Sequence, residues 1–118
     1  MQVESDIFKV GVNIPPEFLQ TLMDSINDNM ESLYPLYDRT FNYWPVKGTW
    51  RPLPGSTPYN GTIGKIVVAD EIRIEFTVME KDLKKVLGII RDVHPYQEPV
   101  IDVIPMIEWK SITPSDAD

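Results

Sequence analysis

The chain has no cysteine and a single histidine among its 118 residues. The first absence removes disulfides, thiolate nucleophiles, zinc fingers and iron–sulfur clusters together. The second leaves little for a nucleophilic triad, and no G-x-S-x-G elbow supplies its serine. Positive charge is scarce as well: 11 Lys and Arg stand against 18 Asp and Glu, for a net charge of -7. Phosphate backbones are bound mainly by Lys and Arg that displace counterions, so neither nucleic acid nor an anionic membrane surface is an expected partner. No apolar run approaches the roughly 20 residues of a bilayer span. The opening "MQVESDIFKV" lacks the basic and apolar regions of a secretory signal. These exclusions predict a cytoplasmic protein, in which Asn60-Gly61-Thr62 is a chance match to the glycosylation sequon.

What is present fits one globular domain. Apolar residues make up 42% and charged residues 25%, close to the average that sustains a packed core. We assign residues 1–110 to the domain and 111–118 to a polar, frayed C-terminal tail. "DIFKVGV" alternates, with Phe8, Val10 and Val12 on one face of a strand. Pro15 and Pro16 then open a helix whose stripe is Phe18, Leu19, Leu22, Met23, Ile26 and Met30, with an end expected near residues 31–33.

The aromatic and β-branched stretch from Arg39 to Leu53 reads as a second strand, with Pro45 marking a bulge or a sheet edge. Its aromatics, with Tyr34 and Tyr37 just before it, are expected in the core or at an interface. Residues 52–64 form a structured loop, since prolines restrict the chain while glycines permit positive φ. "EIRIEFTV" is the cleanest strand: Ile72, Ile74, Phe76 and Val78 face one way, Glu71, Arg73 and Glu75 the other. A second helix starts near Glu80 and buries Leu83, Val86, Leu87 and Ile90; "VIDVIPMIEW" is the last strand. The order β-α-β-β-α-β is the split βαβ pattern, an α+β ferredoxin-like fold with two helices on one face of a four-stranded antiparallel sheet.

Three motifs carry a family resemblance. "GTWRPLPGSTPYNGTIGK", "EIRIEF" and "HPYQEPVIDVIPM" follow one another in the order found in the domain inserted in many bacterial Nif-three-like proteins (NGG-one-interacting-factor-three-like). The chain resembles that insert from about residue 6 to 107, and the matching positions include Gly48, Pro52, Gly55, Pro58, Gly61 and Gly64. The resemblance implies a fold similar to CutA and the PII signal proteins, as a dimer or trimer of identical chains. Two departures stand out: a glycine-poor, aromatic second strand, and Gln97 in place of the first of two glutamates. The family's di-metal site lies in flanking halves outside the insert, so its metal-dependent chemistry is not carried over.

Each candidate site has two readings. His94, with Glu98 four residues on, suits a divalent metal, the one candidate cofactor; alternatively it closes a helix C-terminus, where Pro95 stops the chain and a histidine favours the dipole. The loop glycines Gly55, Gly61 and Gly64, with Tyr96, are candidates for a small ligand, because the corresponding loop of PII-like proteins contributes to nucleotide sites. Against that, Ile66 occupies the Ser/Thr position of a P-loop and no G-x-G-x-x-G exists. Glu71, Arg73 and Glu75 are either a solvated row or, with Trp44 and Trp50, an interface between copies. We therefore expect a small oligomeric module that binds a ligand or ion and has no catalytic residues of its own. A purely structural interaction protein is the alternative, and an enzyme of unnamed reaction a distant third.

Overall fold

A computed structural model describes residues 5–114, so the first four residues and positions 115–118 of the expected tail lie outside it. The elements are β1 (Ile7–Ile14), α1 (Leu19–Asn27), β2 (Asn42–Trp50), β3 (Val67–Met79), α2 (Glu80–Val93) and β4 (Ile101–Met106), with a single 3-10 turn at Pro16–Phe18 and another at Trp109–Ser111. The strands form one antiparallel sheet in the order β2-β3-β1-β4, the ferredoxin-like arrangement anticipated from the sequence. No helix among the described residues is long and apolar enough to cross a membrane.

The core lies between the helices and one sheet face. Val10, Val12 and Ile14 of β1 and Ile74 and Val78 of β3 are fully buried against Leu22 and Ile26 of α1 and Val86 and Ile90 of α2. These are the positions that period 2 in the strands and period 3.6 in the helices select. Asp82, in the first turn of α2, is buried at 8% exposure because its carboxylate accepts the Glu31 N–H at 3.0 Å, pinning the segment after α1 to α2.

Two boundaries needed adjustment, and two open readings narrow. The first helix ends at Asn27, about four residues early. There the Asn27 side chain leaves the helix to accept the Arg39 N–H at 2.9 Å, while Asn29 caps back to the Ser25 carbonyl at 2.8 Å; such polar side chains compete with helical backbone bonds. β3 begins at Val67, four residues before the alternating run, because Val67–Asp70 pair only with β2 and need no buried face. Pro45 marks an edge and not a bulge: β2 is the outer strand, and its register with β3 runs unbroken through Pro45↔Ile72. Most of the aromatics are not core. Phe41 packs edge-on against Phe76 at 5.5 Å, but Tyr37, Tyr43 and Trp44 are exposed.

Candidate functional site

The loop of residues 51–66 and the turn after α2 come together within one chain. The Thr57 N–H donates to Gln97 Oε1 at 2.9 Å, and the Tyr96 ring lies 5.2 Å from Trp50 and 6.0 Å from Tyr59, centroid to centroid. Between them opens a cleft of about 530 Å³, floored by Gly48 and Glu71 and rimmed by Gln97 and Glu98. That volume falls in the range of small-molecule sites.

His94 holds the turn from behind. It is the C-terminal cap residue of α2, at 6% exposure. Its Nδ1 accepts the Tyr96 N–H at 3.2 Å, so Nε2 carries the proton and donates to the Asn13 carbonyl at 2.7 Å. Burial is the main cause that holds its pKa below the usual histidine value, ahead of the opposing effects of the Asn13 carbonyl and the Glu71 carboxylate. The imidazole is therefore a neutral bracket joining the turn to β1. It is neither a charge on the helix dipole nor, with both nitrogens engaged, a ring with a lone pair left for a metal. Glu98 stands at the cleft rim, and among the described residues no hydrogen bond or ion pair joins it to His94, whose partners are Asn13 and Tyr96. Among the described residues no three His, Asp or Glu side chains converge as a metal site would require.

Tyr96 is the pivot. Its hydroxyl donates to Glu71 Oε2 at 2.6 Å, and Glu71 is only 4% exposed. Partial burial, followed by this carboxylate, drives the phenol's pKa well above its ordinary 10. Glu71 fits because Gly48, on the adjacent strand, has no side chain: a Cβ there would lie 2.6 Å from the Glu71 Cδ and closer still to Oε1. Glycine inside a strand often marks such a close approach. Replacing Tyr96 by Phe should cost about 1–2 kcal/mol by urea unfolding at neutral pH, since a buried carboxylate loses its donor. A raised folded-state pKa means the unfolded phenol ionises first. Wild-type stability should thus fall as pH rises past 10, and Y96F should lack this part of the slope.

The remaining candidates divide. Gly55, Gly61 and Gly64 have the positive φ expected of them (97°, 116° and 81°), yet they shape the loop without lining the cleft. Three of the loop's amides are spent internally: Gly64 N–H on the Pro52 carbonyl at 2.8 Å, Lys65 N–H on Thr62 at 3.0 Å and Ser56 N–H on Leu53 at 3.1 Å. Glu71 and Trp50, named as interface candidates, line the cleft. Trp50 also donates its indole N–H to the Asn60 carbonyl at 3.2 Å. Arg73 pairs within the chain, with Asp102 at 2.9 Å and Glu75 at 3.4 Å, its guanidinium lying over Gly11. Trp44 sits on the same sheet face, half-exposed, in register with Arg73. Asn13, Ser56, Tyr59 and Asn60 also line the cleft and were not identifiable from the sequence, because only the tertiary fold brings them there.

Comparison with known proteins places this geometry in a lineage. No family model matches the chain. A GTP cyclohydrolase 1 type 2 homolog of Staphylococcus epidermidis is 32% identical over 99 residues, which is 84% of this chain and 27% of that protein. The corresponding protein of Staphylococcus aureus is 29% identical over 97 residues, 82% of this chain and 26% of its own length. The chain thus spans about a quarter of the length of the curated relatives it matches. Among solved structures, a NIF3-related protein of Bacillus cereus superposes with a TM-score of 0.75 at 22% identity, covering 91% of this chain and 27% of that one. CutA of Archaeoglobus fulgidus gives 0.63 at 16% identity, covering 86% and 85%. Bacillus subtilis GlnK gives 0.60 at 17% identity, covering 86% of each. The resemblance read from the three motifs is therefore shown, and the fold is the CutA/PII-like one.

Proposed function

We propose that this CutA/PII-like chain, homologous to a segment of the GTP cyclohydrolase 1 type 2 homologs, is a ligand-binding module that holds its ligand in the Trp50–Tyr59–Tyr96 cleft and does not transform it. One observation carries the reading: loop and turn, joined across 40 residues of sequence where Thr57 meets Gln97, build a cleft with aromatic walls around the buried carboxylate of Glu71. Clefts with mostly apolar walls and few convergent polar groups are the usual form of small-molecule sites. No imidazole faces the space to activate the Thr49 and Ser56 hydroxyls on its lining, since both nitrogens of His94 are bonded to backbone.

We further read the module as working in a homo-oligomer. Both outer strands, β2 and β4, have one unpaired edge, and Val103, Ile104 and Ile107 on and after β4 are exposed. Open edges of this kind need cover. The same surface favours the alternative, a purely structural interaction module with no ligand.

The indole N–H of Trp50 is the natural reporter. A small-molecule library screened by ¹H–¹⁵N correlation spectroscopy should shift Trp50 together with the amides of Gly48, Tyr96 and Gln97, and the same compounds should raise Tm. A well-folded oligomer whose cleft signals stay unmoved throughout would support the structural reading and defeat this one.

A further inference from the structure

We infer that the cleft takes a small organic cation, an alkylammonium or guanidinium group on a short stem; this rests on the cleft being the ligand site. The central observation is the unequal state of the two Glu71 oxygens. Oε2 accepts the Tyr96 hydroxyl at 2.6 Å. Oε1 meets no donor among the described residues, yet it is not sealed off: no buried side-chain oxygen or nitrogen in this set lacks a partner. A carboxylate at 4% exposure with one oxygen open only to the cleft calls for an N–H donor, ideally a charged one.

The surroundings agree with that charge. Trp50, Tyr59 and Tyr96 pack at tilted angles around the space, and an aromatic face, unlike an edge, attracts a cation. Glu98 adds a second carboxylate at the rim, and Glu17 stands just behind, accepting the Tyr59 hydroxyl at 3.0 Å. The sole cationic side chain lining the space, Lys47, is drawn to Asp70. Arg73, the nearest guanidinium on the same strand, is held by Asp102 and Glu75 and cannot serve as the internal partner of Glu71. Gly48 completes the case. The bare Cα leaves Oε1 its space, where any side chain would press on the carboxylate. The ammonium or guanidinium would sit at Oε1 between the aromatic rings, with its stem along Pro52, Pro58 and Val100 toward the rim.

Such a group could belong to a free amine or to a lysine or arginine side chain of a peptide. Titration with agmatine, 1,4-diaminobutane and Nα-acetyl-arginine amide, followed by NMR at Trp50 and Tyr96, separates these sources. 1,4-Butanediol and pyrophosphate serve as neutral and anionic controls. We expect at least one cation to saturate the cleft at least tenfold more tightly than the diol, with affinity falling as salt is raised. Glu71→Gln keeps an acceptor for Tyr96 while removing the charge, and should weaken binding at least tenfold; Glu98→Gln, at the exposed rim, should weaken it a few-fold without touching the fold. Preference for the amide over the free amines would assign the site to peptide side chains. Equal binding of the diol, tighter binding of pyrophosphate, or cation affinity unchanged in both variants would overturn the cationic class while leaving a ligand site in place. A cleft that responds to none of these probes, nor to the wider library, would end both readings.

Discussion

Replacing His94 by alanine should lower the unfolding free energy by roughly 3 kcal/mol, a change that would cost about 10 °C or more in Tm. Two buried backbone groups lose their partners at once, the Asn13 carbonyl and the Tyr96 N–H. An imidazole-sized void is left under the turn, and the surroundings refill such voids only in part. His94→Gln, whose amide can both donate and accept, should recover part of the loss. The pH dependence separates this bracket from a charged role. Burial lowers the folded-state pKa, so below the ordinary value of 6.5 the unfolded chain takes up the proton first. Wild-type stability should therefore be complete above that pH and decline as pH falls through it toward the lower folded pKa. H94Q should lack this component. A histidine stabilised as a cation at a helix end would show the opposite slope, gaining stability on acidification, and urea unfolding between pH 7.5 and 5 would reveal it.

Gly48→Ala should be nearly as costly, about 2–4 kcal/mol, although the residue lies in an outer strand with an ordinary extended backbone. The added methyl would occupy the space of the Glu71 carboxylate, 2.6 Å from its Cδ. Either the carboxylate swings away and releases Tyr96, or β2 lifts from β3. Gly11→Ala is the informative contrast. There the Cβ would approach the Arg73 guanidinium, 2.7 Å from Cζ. That group ends a long side chain, is partly exposed and is held by pairs of small value, so it can move aside for about 1 kcal/mol or less. A double-mutant cycle makes the cause explicit. In the Glu71→Ala background, Gly48→Ala should lose most of its effect, and a coupling energy near zero would show that the carboxylate is not what fills the space.

Much of the fold was legible because hydrophobic periodicity is a local signal. Ile72, Ile74, Phe76 and Val78 announce a strand, Leu83, Val86, Leu87 and Ile90 a helix, and Pro45 an edge or a bulge, whatever the rest of the chain does. The end of α1 was misplaced because Met30 continues the apolar stripe and does pack on the core, while the backbone has already been released by Asn27 and Asn29. The site was legible only in fragments. Tyr96 and Glu98 stood out near the single histidine, but His94 itself proved to be their support. Glu71 read as one charge in a row either solvated or facing another copy, because nothing local says that residue 96 will reach across to cover it. Gly48 held the one usable clue, a glycine amid aromatic and β-branched strand residues, a pattern that signals close approach by a neighbour.

The unequal reach of the strands has a dynamic consequence. β1 supports β3 only from Ile72 onward, so Val67–Glu71 and Val46–Trp50 form a two-stranded ribbon beyond the part of the sheet that β1 joins. Isolated ribbons of this kind are marginal in water. Amides of the ribbon should therefore exchange with deuterium through local openings, faster than those of Val10 or Ile74, whose exposure requires global unfolding. Gly48, Trp50 and Glu71 all lie on it. The carboxylate that defines the cleft is thus mounted on a ribbon paired along one edge only, and an occupant bridging it to Tyr96 would slow exchange along the whole ribbon, a signature readable even before the occupant is identified.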